Sequence, residues 1–369
     1  MKVLFLSLHV FSATGGIEKV CRVAGKALYE LGLQYGGRVT VFSMYGSQDV
    51  ADGNNYFPQE IFTGFGYKRI RFVLKAIREG HRSNVVLLSH INLLFVGYFI
   101  KLIKPSARVF MLAHGIEVWK DLPGWKKKML HKCDGIIPVS NFTKDKMQAL
   151  YNLHPQKLTV INNCLDPFLE RPLNADCTTV LRRKYGITAG QRLLVSVSRM
   201  VSTEKYKGYD KVLKALPQLL SAYPGLRYML VGKYDEKEKQ RLDDLINQLG
   251  ITGQVVFTGF IKDEEMAAHF CMADIFVMPS EKEGFGIVFI EAMFYGLPVI
   301  AGNKDGSVDA LRNGEIGLLV DPNDNGQVQK ALKSMLDNTN AYKVDPDKLQ
   351  TYFGYSAYKK QLGKALKIC

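Results

Sequence analysis

Apolar and polar positions alternate along this chain in two registers. Short continuous apolar runs are separated by longer stretches whose apolar residues recur every three or four positions. Val3–His9 is a continuous run of the kind that forms a parallel strand buried on both faces. Ile17, Val20, Cys21, Ala24, Leu28 and Leu31 then recur at helical spacing, and the pattern predicts a helix closed by Gly32. Further strands are predicted at Arg38–Tyr45, Val85–Ser89, Arg108–Ala113, Gly135–Val139 and Leu158–Ile161. Helices are predicted between them at Tyr67–Glu79, Asn92–Lys104, Lys126–Lys132 and Phe142–Leu150.

The rhythm breaks over Asn163 to Gly190, with Pro167, Pro172, Gly186 and a polar run, and reads there as a connection. It then restarts. Strands are predicted at Arg192–Ser198, Arg227–Val231, Gln254–Thr258, Ile275–Met278 and Pro298–Ala301. Helices are predicted at Tyr209–Tyr223, Glu236–Leu249, Glu264–Cys271 and Ile287–Tyr295, and a last one over Tyr352–Leu366. Repeated strand–helix units imply doubly wound parallel sheets. The expected architecture is α/β, with two Rossmann-like domains at 1–168 and 169–351 facing a central cleft. The C-terminal segment 352–369 is expected to pack back on the first domain.

The 369 residues suit two domains of ordinary size, and 47% apolar content excludes disorder as the main state. Charge is less even. Residues 1–168 hold 22 Lys and Arg against 11 Asp and Glu, whereas the rest is close to balanced within a total of +14. A basic first half implies an anionic partner: nucleic acid, an anionic membrane surface or a diphosphate-bearing lipid. Cys21, Cys133, Cys164, Cys177, Cys271 and Cys369 are scattered without CxxC spacing, which argues for free thiols and against a zinc site. No small-residue cleavage site follows the opening apolar run, so it reads as a first strand rather than a signal peptide. Ser89, His90, Asn92 and Lys101 interrupt the stretch from Val85 to Ile103, which divides into strand and helix rather than spanning a bilayer. A soluble cytoplasmic protein is expected.

The segment richest in chemistry is Ser280-Glu281-Lys282-Glu283-Gly284-Phe285-Gly286-Ile287, leading into a helix that carries Glu291. Gly284 and Gly286 remove Cβ atoms where backbone N–H groups emerge at a helix start, a natural receptor for phosphate oxygens. Between Gly284 and Asn303, Glu291 is the sole charged or His residue, and a carboxylate in so apolar a segment needs hydrogen-bonding partners such as a sugar diol. Either glutamate alone is more simply a surface charge, but both together with the glycines point to a site. Arg199 follows a strand directly, and Lys207-Gly208 precede the next helix. Two fixed cations there would neutralise a diphosphate as charge grows on it, while Lys205 reads more simply as a solvated loop charge. In the first half, Gly15-Gly16 follows the first strand without the GxGxxG spacing of a dinucleotide site, and His114-Gly115 follows another strand.

Together these residues resemble the retaining, nucleotide-sugar-dependent glycosyltransferases of family 4, which have the GT-B fold. Glu283 and Glu291 match that family's E-x7-E motif, with support from Gly15-Gly16-Ile17-Glu18, His114-Gly115, Val139-Ser140, Asn163 with Asp166, and Arg199 with Lys207-Gly208. The resemblance implies a UDP- or GDP-linked sugar as co-substrate on the second domain, with no cofactor and no metal. It implies that Arg199 and Lys207 hold the diphosphate and Glu291 the ribose. Glu283 with the backbone of Gly284, Phe285, Gly286 and Ile287 would place the sugar. His114 would approach that sugar, Gly16 would let backbone approach phosphate or acceptor, and Asp263 would lie near the base. A saccharide or polyprenyl-diphosphate-linked acceptor on the first domain suits its positive charge, as in polysaccharide, lipopolysaccharide or exopolysaccharide assembly. The spacing of Arg199 and Lys207 is wider than the family's, which makes Lys205 a rival ligand. Cys164, Ser307 and Asp309 also depart from its usual residues.

Two other readings compete: an epimerase acting on nucleotide-sugars with the same tandem fold, and a basic nucleic-acid-binding protein. The second lacks aromatics interleaved with its basic runs. Tyr67–Arg82 carries Lys68, Arg69, Arg71, Lys75, Arg78 and Arg82, with Ile70, Val73, Leu74 and Ile77 expected on the core side beneath a solvated basic face. The alternative is a peripheral membrane surface on the cytoplasmic face, to which Trp119, Trp125 and Lys126-Lys127-Lys128 would contribute.

Overall fold

The computed structural model describes residues 1–12, 15–49, 53–171 and 176–368. They form two units, Met1–Pro167 with Phe353–Cys369, and Phe168–Tyr352. Cys21, Cys133 and Cys164 carry free thiols. Cys369 lies outside the described residues, as does the side chain of Cys177.

Unit 1 is built on six parallel strands: β1 (Lys2–Ser7), β2 (Arg38–Ser43), β3 (Phe62–Gly64), β4 (Val85–Leu88), β5 (Arg108–Ala113) and β6 (Gly135–Pro138). Their order is β3-β2-β1-β4-β5-β6. The apolar runs become strands because helices cover both faces of the sheet, so every residue of β4 and β6 is buried. Unit 2 holds β7 (Leu193–Val197), β8 (Arg227–Val231), β9 (Val255–Gly259), β10 (Ile275–Met278), β11 (Val299–Gly302) and β12 (Leu318–Val320). Its order, β12-β11-β10-β7-β8-β9, repeats the first when read from the other edge. Both are the doubly wound Rossmann order, in which the strand sequence reverses between β1 and β4, and again between β7 and β10. Each unit has its own apolar core.

Several expected elements are corrected. Leu158–Ile161 is not a strand: Thr159 and Ile161 donate to carbonyls of β6, but Pro138 has no N–H to return. Gly32 does not close the first helix, which runs Gly16–Gln34. Gly32 is instead a close contact, since a Cβ there would lie 2.9 Å from Val39 Cγ2, and the chain turns at Gly36 with φ +60°. The expected helix Tyr352–Leu366 is two, Pro346–Phe353 and Tyr355–Ala365, separated by extended Gly354. The second packs on the helix Gly16–Gln34, where Lys359 Nζ lies 2.7 Å from Glu30 Oε2.

The helix Arg69–Arg82 reverses its expected orientation in part. Its buried residues are Phe72, Ala76 and Gly80, whereas Ile70 and Leu74 are exposed among the basic side chains and Val73 and Ile77 are half-buried. Among the described residues, no helix is long and apolar enough to cross a membrane.

Candidate active site

In unit 2 the strand order reverses between β7 and β10, and the turns leaving those two strands lie side by side. Open α/β sheets bind ligands in the crevice outside such carboxyl ends. Arg199 leaves β7 with its guanidinium mostly in solvent, and its Nη2 donates to Glu204 Oε1 at 2.6 Å. A single 3-10 turn follows, Lys205–Lys207, closed by Gly208 in the left-handed region at φ +80°. The turn points its two lysines differently. Lys205 is exposed, and Lys207 is largely withdrawn from water with its Nζ 2.5 Å from Glu283 Oε1. Burial works against the Lys207 charge, but the adjoining Glu283 carboxylate outweighs it and holds the ammonium above the ordinary lysine range. Tyr206, between the two lysines, accepts the Glu281 N–H on its carbonyl at 2.9 Å. Its ring lies 5.5 Å from Lys207 Nζ and 5.6 Å from Lys282 Nζ.

From β10 the chain passes Pro279 and Ser280 to Gly284, Phe285 and Gly286, then enters the helix Ile287–Phe294. Phe285 is buried and anchors the loop, and Gly286 precedes the helix at φ +84°, which a side chain would strain. The first N–H groups of that helix have no partner within it, and its dipole favours an anion. Glu291 lies further along the same helix and is buried, at 4% exposure.

A third turn, leaving β11, supports this loop from below. Asp305 is fully buried; its Oδ2 accepts the Glu283 N–H at 2.6 Å and its Oδ1 the Ser307 N–H at 2.9 Å. The Gly306 N–H donates to the Glu283 carbonyl at 2.8 Å, and a Cβ on Gly306 would sit 2.0 Å from the Gly284 carbonyl oxygen. Burial, and then the nearby Glu283 charge, push the Asp305 carboxyl up to about 7. An acid raised on folding binds its proton in the folded state while the unfolded chain has released it. Its contribution to stability therefore falls as pH rises from about 4 to about 7. Asp305→Asn should remove that slope. Urea midpoints of parent and variant measured across the window should change relative to each other with pH, and a constant offset would assign the carboxyl no titration there.

Unit 1 also gathers polar groups at its carboxyl edge. Gly16 is the first residue of the helix Gly16–Gln34, whose N-cap Gly15 supplies no side chain. His114, after β5, donates from Nε2 to the Ser89 carbonyl at 2.7 Å, and its backbone N–H donates to Glu117 Oε1 at 2.5 Å. The bond to Ser89 places the ring proton on Nε2 and leaves Nδ1 as the acceptor, buried without a partner among the described residues. His90 sits beside it, its pKa lowered by burial.

These two sheets and their turns have counterparts among known proteins. Residues 14–168 match the family described as Glycosyltransferase Family 4, and residues 178–360 match Glycosyl transferases group 1. The chain belongs to the group 1/family 4 glycosyltransferases. It is 32% identical over 250 residues to the GDP-mannose-dependent alpha-(1-6)-phosphatidylinositol monomannoside mannosyltransferase of Mycolicibacterium smegmatis, covering 63% of this chain and 61% of that one. It is 34% identical over 216 residues to the D-inositol 3-phosphate glycosyltransferase of Rhodococcus erythropolis, covering 57% and 48%. The chain thus spans about three-fifths or less of the length of these curated relatives. Among solved structures, Anabaena HepE in complex with UDP superposes with a TM-score of 0.81 at 20% identity over 100% of both chains, a likeness of fold. The shared fold is GT-B, with two Rossmann-like domains.

Within the glycosyltransferase scaffold of unit 2, the structure brings Arg199, Lys205, Lys207, Glu283, Gly284, Phe285, Gly286 and Ile287 to one stretch of the sheet edge. Asp263 is not among them. It opens the helix Asp263–Cys271 after the edge strand β9, three strand spacings from β10, or about 14 Å. Gly16 and His114 belong to unit 1. Sequence reasoning overlooked Glu204, Tyr206 and Asp305. For Asp305 a signal existed, because Asp-Gly-Ser at the end of an apolar strand is a helix-capping pattern. Among the described residues no cluster of three or more His, Cys, Asp or Glu side chains is placed to hold a metal ion.

Proposed function

We propose that the protein transfers a hexose from a nucleoside-diphosphate sugar to a saccharide or polyprenyl-diphosphate-linked acceptor, with retention of anomeric configuration and without a metal. The observation that carries this reading is the Lys207–Glu283 pair, set where the helix Ile287–Phe294 begins. An ammonium has three N–H donors. One holds Glu283, and the others remain for diphosphate oxygens, so the same pair places a phosphate-binding group against a sugar-binding one. Arg199 and the helix N–H groups add positive potential as the bond from anomeric carbon to diphosphate oxygen breaks. Its electron pair leaves with the nucleoside diphosphate, while the acceptor hydroxyl oxygen bonds the anomeric carbon and its proton passes to the departing phosphate. Glu291 would take ribose hydroxyls, and Asp263 would lie toward the base. Retention rests on the E-x7-E resemblance of Glu283 and Glu291. The acceptor falls to unit 1, with Gly16 and His114 at its sheet edge.

Incubation with GDP-mannose and with UDP-glucose, with and without a polyprenyl-diphosphate saccharide, tests the reading. A glycosylated acceptor whose new linkage keeps the donor's configuration by NMR is the expected result. Donor epimerised without acceptor, or no binding of any nucleoside-diphosphate sugar, would overturn it. Titration with UDP and GDP separates the lysines. Lys207→Ala should weaken binding about 10- to 100-fold, as for a lost charge-assisted hydrogen bond. Lys205→Ala, exposed and screened, should change it less than about threefold. The reverse ranking would move the phosphate role to Lys205.

A further inference from the structure

The helix Arg69–Arg82 shows solvent an apolar stripe that its own fold does not use. Phe72, Ala76 and Gly80 recur at four-residue spacing and face the core, where a Cβ on Gly80 would press into the Ile100 side chain. Ile70 and Leu74 also recur at four-residue spacing. Two residues out of phase with the buried stripe, they lie about 200° around the helix from it. Ile70 is 78% exposed and Leu74 is 65% exposed. A second, independent oddity stands at the head of this helix. Tyr67 adopts φ +66°, a conformation bulky residues avoid, and in it the ring is 67% exposed. One side of the ring packs on Tyr45, with centroids 5.1 Å apart, and most of the rest stays in water.

Lys68, Arg69, Arg71, Lys75 and Arg78 surround these three residues and line one shallow depression with them. None is joined to a carboxylate by a salt bridge among the described residues. Arg69 and Lys75 rest instead on the rings of Tyr45, Phe42 and Phe65. A nucleic acid would be met by the cations alone and gives no reason to hold two aliphatic side chains in water. An anionic bilayer answers both, with phosphate headgroups for the cations and acyl chains for Ile70, Leu74 and the Tyr67 ring. Helices that follow parallel strands begin at the carboxyl edge of the sheet, so the head of this patch, Tyr67 to Ile70, lies at the same edge as Gly16 and His114. Trp125, exposed at the start of the helix Gly124–His131 with Lys126 over its ring, begins at that edge too.

We infer that Tyr67, Ile70 and Leu74, ringed by Lys68, Arg69, Arg71, Lys75 and Arg78, form a docking surface for an anionic lipid membrane. The surface is independent of the donor site and can be tested without any nucleotide-sugar. Flotation of the full chain with phosphatidylcholine vesicles containing about a third phosphatidylglycerol should show binding, and pure phosphatidylcholine vesicles should show little. Arg71→Glu with Arg78→Glu should weaken binding at least about 20-fold, more at low salt than at high. Ile70→Ser with Leu74→Ser should weaken it about 10-fold or more, and the loss should persist at high salt. All four positions are exposed, so thermal unfolding of the variants should match the parent. Absence of vesicle binding would overturn the inference. So would full binding by the Ile70→Ser/Leu74→Ser variant, or single-stranded RNA binding that exceeds vesicle binding and is lost in Arg71→Glu/Arg78→Glu.

Discussion

Glu283→Gln is expected to lower turnover by about two to three orders of magnitude while leaving nucleoside-diphosphate affinity equal or slightly higher. Hydrogen bonds to a charged group contribute about 1.5–3 kcal/mol each, and loss of the carboxylate would weaken more than one to the sugar. The direction for the nucleotide follows from the pair. Glu283 Oε1 lies 2.5 Å from Lys207 Nζ, and a neutral amide there competes less for the ammonium. The amide still accepts from Lys207, so the loop retains its shape. Single-turnover kinetics with the donor, alongside calorimetric titration with UDP and GDP, separate the two effects. Unchanged turnover with lost nucleotide affinity would remove Glu283 from the sugar and make it a prop for Lys207.

The largest structural effect should come from Gly208→Ala. At φ +80° an alanine costs about 1–2 kcal/mol, and its Cβ would lie 2.1 Å from the Pro279 carbonyl oxygen, a backbone atom that cannot swing aside. The turn holding Lys207 and the turn leading to Glu283 would have to separate. We expect a loss of more than about 4 kcal/mol, or about 8–16 °C in the unfolding midpoint of a unit this size, together with loss of nucleoside-diphosphate binding. Gly190→Ala is the control, because Gly190 has φ +83° and a Cβ there would meet nothing within 4 Å among the described residues. It carries the conformational cost without the collision. Equal destabilisation of the two variants would show that the contact with Pro279 is relieved cheaply.

The parts of the site legible in sequence were those whose chemistry is local. Two glycines at a strand-to-helix junction announce a helix tip open to anions, and a glutamate just over one turn into an apolar helix has no surface reason to be there. Arg199 and Lys207 could be placed because one follows a strand end and the other precedes the next helix. Lys205 and Lys207 could not be ranked, because a single 3-10 turn sends one to solvent and the other onto a carboxylate 76 positions away. Asp305 escaped notice for the same reason: its value lies in the Glu283 N–H that it accepts from a different turn. The helix Arg69–Arg82 has apolar residues on opposite faces, so periodicity offered two inward orientations. Packing chose the face on which Gly80 allows close approach to Ile100.

By itself the sequence determined the alternation of strands and helices, the doubling of the doubly wound pattern, and the residue types waiting at the strand ends. These depend on periodicity and on residues adjacent in the chain. Only the tertiary structure decided that β7 and β10 are neighbours, that Lys207 reaches Glu283, and that Asp305 accepts the Glu283 N–H. It also decided that β3 and β12, three residues each, are strands at all. Strand order and long-range hydrogen bonds are fixed by which surfaces bury one another, and no local pattern records that choice.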